Sequence, residues 1–193
     1  ALMYLYHPQF RQLCGYINTG RLGQVRSVCC QFGIPPLDFQ SFRTEPAMGG
    51  GALLDVGCYT ISAVHGLFPD IEAQVRYAAM GVTGDHAVDT EGQALLVLSN
   101  GVEAHLEWRT NCSYVNQMSV WGTAGTVMTD KIFSKPPTCE PAFHFRDIRG
   151  AETTEPGHPG NHFQAMFDSF AAMVSSQELA EAERRRIAWR SDV

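Results

Sequence analysis

At 193 residues, 45% apolar and 18% charged, the chain has the composition of an ordinary globular protein and enough length to bury one real core. A net charge of −6 with no basic stripe argues against a nucleic-acid partner, and no apolar run reaches membrane-spanning length. Six cysteines without a C-x-x-C pair or zinc-like His/Cys spacing point to reduced thiols in a cytoplasmic protein and to no metal site.

In chain order, residues 1–6 read as a short apolar strand or linker, with no signal peptide visible over residues 1–20. Pro8 suits the first turn of a helix carried by Phe10, Leu13, Cys14 and Ile17, and Gly20 stops it. A strand is expected over 25–32. The loop that follows, 33–48, holds Pro35, Pro36 and Pro46 and is too long for a tight turn alone. Within it, Arg43 has the spacing of an exposed loop arginine paired with Glu45.

The loop ends in Gly49-Gly50-Gly51, and apolar residues then recur at helical spacing through Leu53, Val56, Ile61, Val64 and Leu67. Three glycines allow backbone conformations that a Cβ forbids and let a ligand approach closely. Asp55 and Tyr59, four residues apart near the start of that helix, project from one face. A carboxylate beside a phenol is a proton-handling pair. By spacing alone, Asp55 equally serves to complement the helix dipole and Tyr59 to pack its ring.

Strands are expected over 71–80, 90–99 and 102–111, the last two joined by Asn100-Gly101, the strongest short hairpin signal. Another pair, 117–121 and 126–132, flanks Gly122-Thr123-Ala124-Gly125, a turn and not a phosphate cradle, since no Gly-Lys-Ser/Thr follows. Residues 133–160 are Pro/Gly-rich and predict a mobile excursion with one strand around 142–148. Asn161 is placed as an N-cap, with His162 at the entrance of a helix through Phe163, Met166, Phe167, Phe170 and Met173. That wide apolar face is expected to lie in the core. A polar helix over 178–188 carries the solvated cluster Arg184-Arg185-Arg186, and 189–193 read as a frayed end.

Hairpin-linked strands flanked by helices are not the alternating pattern of a doubly wound sheet. They predict one α+β domain over 1–193: a largely antiparallel open sheet with helices packed on one face. No G-x-G-x-x-G follows a strand, and no internal repeat is present.

Four stretches carry a resemblance. They are Gly49-Gly-Gly-Ala-Leu-Leu-Asp-Val-Gly-Cys-Tyr59, Met3-Tyr-x-Tyr-His-Pro-Gln9 with Gly20-Arg-Leu-Gly-Gln-Val-Arg26, Phe42-Arg43, and Val120-Trp-Gly-Thr-Ala-Gly-Thr-Val127. Together they resemble the second domain of the glucose–fructose oxidoreductase / inositol dehydrogenase (Gfo/Idh/MocA) family, in the tyrosine branch that holds dimeric dihydrodiol dehydrogenase. The resemblance covers most of residues 1–188 and leaves out the family's nucleotide-binding domain and its Glu-Lys-Pro lysine. It implies an NAD(P)-dependent oxidoreductase acting on CH–OH groups of pyranose sugars or cyclic diols. Tyr59 would exchange the proton, its pKa lowered by the missing lysine, and Asp55 would bind a substrate hydroxyl. Arg43 and the glycines Gly49, Gly50 and Gly51 would approach the cofactor, while Tyr6, His7 and His162 would lie at the substrate pocket. NAD or NADP would bind the full-length enzyme and not this chain alone, which would be inactive and would dimerise through its sheet face. The alternative is a non-catalytic dimerising or small-molecule-binding module.

Overall fold

A computed structural model describes residues 2–36 and 41–191; residues 37–40 of the proline-rich loop and the last two of the expected frayed end lie outside them. The chain opens on a 3-10 turn, Met3–Tyr6, where a strand or linker was expected. Helix α1 (Pro8–Asn18) follows directly, with Pro8 in its first turn. His7 is its N-cap: Nδ1 accepts from the Gln9 N–H at 3.0 Å and Nε2–H donates to the Gly160 carbonyl at 3.0 Å. The ring is therefore neutral and fully buried.

Strand β1 (Val25–Gly33) becomes the centre of an eight-stranded sheet. After the helical segment 53–67 come β2 (Ala73–Gly81), β3 (Glu91–Leu98), β4 (Glu103–Arg109), β5 (Val115–Gly122), β6 (Gly125–Asp130), β7 (Ala142–Asp147) and β8 (Glu152–Pro156). The spatial order is β2-β3-β4-β1-β5-β6-β7-β8. Among the described residues only β1 and β4 run parallel, with Cys30 opposite Leu106, and every other pairing is antiparallel. Thus β1 is inserted between two hairpins, and its entry is fixed at one spot. The Ala124 N–H donates to the Leu22 carbonyl at 2.9 Å and the Thr123 N–H to that of Gln24 at 3.0 Å. A Cβ on Gly23 would overlap the Thr123 hydroxyl. Two of the stretches that carried the resemblance are one junction in space.

Alternate residues of each strand face the helices. Val28, Cys30 and Phe32 of β1 meet Leu106 and Trp108 of β4 and Met118 and Val120 of β5 in one core with Leu13 of α1 and Val64 of the central helix. The opposite face is open and mixed. Gln31 donates to Glu107 at 2.7 Å and accepts from Gln117 at 2.6 Å, and Arg109 pairs with Glu107 and Glu91. Trp121 lies 64% exposed on that face, opposite Ser27.

Residues 133–160, expected as an excursion with one strand, hold two. They add β7 and β8 to the sheet, because Phe143 and Phe145 alternate into the core against Tyr16 of α1 at 5.1 and 5.0 Å and Arg21 stacks over Phe145 at 3.8 Å while pairing with Glu155. Helix α3 (His162–Val174) starts at Asn161, whose side chain accepts from the Phe163 and Gln164 N–H groups. Its apolar face is not core: Phe167, Phe170 and Val174 are 61%, 62% and 72% exposed. These residues border a cavity of about 870 Å³ between α3 and α4 (Gln177–Ser191). The backbone of α4 stays helical to Ser191, past the expected fraying point.

Candidate active site

The glycine loop is folded back on the residues just before it. The Gly50 N–H donates to the Glu45 carbonyl at 3.0 Å and the Gly51 N–H to the Arg43 carbonyl at 2.9 Å. A Cβ on Gly50 would stand 2.5 Å from the Arg43 carbonyl oxygen, and one on Gly51 would overlap Oδ1 of Asp89. Gly51 also has φ of +124°, a conformation side chains resist. Gly50 and Gly51 are therefore required by the chain's own packing. Gly49 has a left-handed φ of +73°, so its backbone too favours glycine, but the nearest atom to its Cβ position is Leu54 Cδ1 at 3.8 Å and that side is open.

The helix that follows begins with a π turn, Leu53–Gly57, in which the Cys58 N–H reaches back to the Leu53 carbonyl. It continues as α2 (Cys58–Leu67). Such widened turns concentrate at functional sites. Here the turn carries Asp55, and the first α turn after it carries Tyr59. The Arg43 Nε–H donates to Asp55 Oδ1 at 2.8 Å, so Arg43 pairs with Asp55 and not with Glu45, and its guanidinium rests 4.7 Å over the Phe42 ring. Half-buried Tyr59 packs against Tyr4, Phe32 and Phe133 at 5.7, 5.4 and 6.1 Å, with its hydroxyl 3.8 Å from Met3 Sδ. Burial raises the Tyr59 pKa above the usual phenol value, the Cys58 thiol and the Asp55 carboxylate add to the rise, and Arg43 opposes it.

Residues 10–128 match the family model described as the GFO/IDH/MocA C-terminal domain. The chain belongs to this family. It is 33% identical over 177 residues to the dTDP-3,4-didehydro-2,6-dideoxy-alpha-D-glucose 3-reductase of Actinomadura kijaniata, covering 91% of this chain and 52% of that protein. The D-xylose 1-dehydrogenase (NADP(+)) 2 of Haloferax volcanii is 28% identical over 185 residues, covering 95% of this chain and 56% of that protein. Among solved structures, KijD10, a 3-ketoreductase from Actinomadura kijaniata in complex with NADP and TDP-benzene, superposes with a TM-score of 0.86. The identity is 29%, with 100% of this chain and 60% of that one covered. The chain thus spans about half the length of the curated relatives it matches.

Of the residues singled out in this Gfo/Idh/MocA domain, Arg43, Gly49, Gly50, Gly51, Asp55 and Tyr59 come together. Tyr6 and His7 are held by other partners, and His162 packs its ring against His7 and Phe163. The Tyr6 hydroxyl donates to Glu183 of α4 at 3.1 Å. His7 spends both ring nitrogens on the backbone, and burial, with the neighbouring Lys135, lowers its pKa to about 4. His162 is 5% exposed, its ring 6.1 Å from that of His7, with its pKa lowered by burial. Lys135 completes that group, donating to the Ile132 carbonyl at 3.0 Å, its pKa lowered by burial to about 8.

Sequence reasoning missed the walls of the site. Met3, Tyr4, Phe32 and Phe133 surround Tyr59 from three distant segments. Asp89 was missed as well: its carbonyl accepts from the Ala52 N–H at 2.8 Å and its Oδ2 from the Leu53 N–H at 2.7 Å. The one local signal was Gly51, whose Cβ position Asp89 fills.

Proposed function

We propose that this chain is the substrate-binding and catalytic half of an NADP-dependent oxidoreductase acting on keto or CH–OH groups of sugars or cyclic diols, with Tyr59 as the proton donor. The observation that carries this reading is the placement of the Tyr59 phenol, buried enough to stay protonated, one turn beyond an Asp55 held by Arg43. A protonated phenol suits the reductive direction. The relatives, a sugar 3-reductase and a xylose dehydrogenase, support a sugar substrate, and the NADP named for the xylose dehydrogenase and bound in the 3-ketoreductase structure supports that cofactor.

The open side of Gly49 and the exposed Phe42, Met48 and Leu54 around it offer room and apolar surface for a flat ring. Gly49, Met48 and Arg43 would hold the nicotinamide end of the cofactor, whose reduced form, NADPH, would supply the hydride and leave as NADP. Tyr59 then donates its hydroxyl proton to the carbonyl oxygen of the sugar as negative charge builds there, and takes a proton back from water. Asp55, oriented by Arg43, accepts a hydrogen bond from a neighbouring sugar hydroxyl. For the oxidative direction Tyr59 needs a cation stronger than Arg43 alone, which the family resemblance assigns to a lysine outside these residues. Exposed Trp121 and Tyr77 on the open sheet face support pairing with a second copy there.

In the enzyme that joins this chain to its NADP-binding domain, Tyr59→Phe should lower kcat for sugar-ketone reduction by at least the roughly 10²-fold typical of losing a general acid. Near-normal turnover would end the assignment. The 193 residues alone, assayed in parallel, should consume no NADPH.

A further inference from the structure

A helix that carries catalytic groups needs its first turn fixed, and here the usual device is missing. Ala52, the residue before the π turn, makes no side-chain cap. The orphan N–H groups of this helix start are met instead from across the fold, by the carbonyl and carboxylate of Asp89. Asp89 is itself tied to the sheet. The next residue, Thr90, donates its N–H to the Gly81 carbonyl at 2.9 Å and accepts the Thr110 N–H at 2.7 Å, and its hydroxyl accepts from the Thr83 N–H at 2.8 Å. The ends of β2, β3 and β4 thus meet at Thr90, and the carboxylate of Asp89 beside it abuts Gly51 and bonds to Leu53.

We propose that Asp89 is the positioning residue of this active site: it fixes the start of the π turn against the sheet and so sets where Asp55 and Tyr59 stand. The dipole of the helix starting at Leu53 favours a carboxylate at this end. The role rests on the reading of Tyr59 as proton donor. A misplacement of about 1 Å is enough to cost on the order of 10²-fold in rate, so releasing this clamp should act on catalysis without touching substrate.

The test uses the enzyme that joins this chain to its NADP-binding domain, in three variants. In Asp89→Ala, amide hydrogen exchange at Leu53, whose acceptor is the lost carboxylate, should quicken at least tenfold while the core amides of β1 keep their protection. Its kcat should fall at least tenfold with KM for the sugar within threefold, and the pH profile of kcat should shift as Tyr59 moves. Asp89→Asn keeps an acceptor oxygen for Leu53 and should restore kcat to within threefold of wild type. Should the alanine variant fail to fold, Asp89→Ser, too short to reach Leu53, takes its place in the same measurements. Unchanged exchange at Leu53 overturns the proposal whatever the kinetics, and wild-type kcat in the variant without an acceptor overturns it too. Tyr59→Phe in parallel keeps the two readings apart, since its full activity would sink the proton-donor role without altering the exchange result.

Discussion

Helices α2 and α3 are both rich in apolar residues, yet they live in opposite surroundings. Thr60, Ala63, Val64 and Leu67 of α2 are buried against β1 and β4, whereas Phe167, Phe170 and Val174 of α3 face outward. The difference is positional. α2 crosses the covered face of the sheet near its centre, where β1 and β4 supply Val28, Cys30, Leu106 and Trp108. α3 packs mainly on the 3-10 turn at Met3–Tyr6 and on α4. An apolar stripe reports that a face gains from cover, and leaves open what covers it.

The largest effect should come from cutting into the buried member of this pair. Leu67→Ala removes a side chain in the core and should cost about 2–5 kcal/mol, the span seen for buried leucines. Urea unfolding would show this as a lower midpoint with an unchanged slope. A loss under about 1 kcal/mol would mean that α2 is far less tightly packed than its burial indicates.

The same contrast explains what was legible in the sequence. Strands β3 to β6 were readable because alternation and the Asn100-Gly101 turn are local signals. β8 was not, because Glu152-Thr-Thr-Glu-Pro156 has no apolar face and becomes a strand only by pairing with β7. The Asp55–Tyr59 element could be read because it is contiguous, but its π turn could not, since apolar spacing does not distinguish a turn one residue wider. The glycines announced a special backbone, while the reason for two of them lies in the Arg43 carbonyl and in Asp89, which no window around residue 51 contains. His7 stands in a stretch that carries the family resemblance, but its burial and its backbone bond to Gly160 depend on segments that no local pattern joins to it.

An intermediate effect is expected where α1 and α3 begin. His7 is neutral and bonded to Gly160, just ahead of α3. With a folded pKa of about 4, against 6.5 for a free imidazole, the unfolded chain binds the extra proton first as pH falls. Stability should therefore be flat above pH ~6.5 and decline by up to roughly 1.4 kcal/mol per pH unit toward pH 4. Protonation would also set an N–H on Nδ1 against the Gln9 N–H it now accepts. Hydrogen exchange on acidification should loosen the start of α3 before α2, and His7→Asn, which can still cap α1, should flatten the decline. An equal acid slope in that variant would locate the sensitivity elsewhere, with His162 next in line.

The smallest effect should come from the exposed member. In this chain Phe167→Ser with Phe170→Ser removes rings already turned to water, and serine matches phenylalanine closely in helix propensity. The double variant should unfold within about 0.5 kcal/mol of wild type, as surface substitutions do, and should be more soluble because the apolar patch is broken. Set beside Leu67→Ala, it measures the contrast directly: two large rings lost from α3 should cost less than one leucine lost from α2. If the double variant instead lost more than about 2 kcal/mol, the α3 rings would have to be covered in solution, and the two helices would be doing the same job.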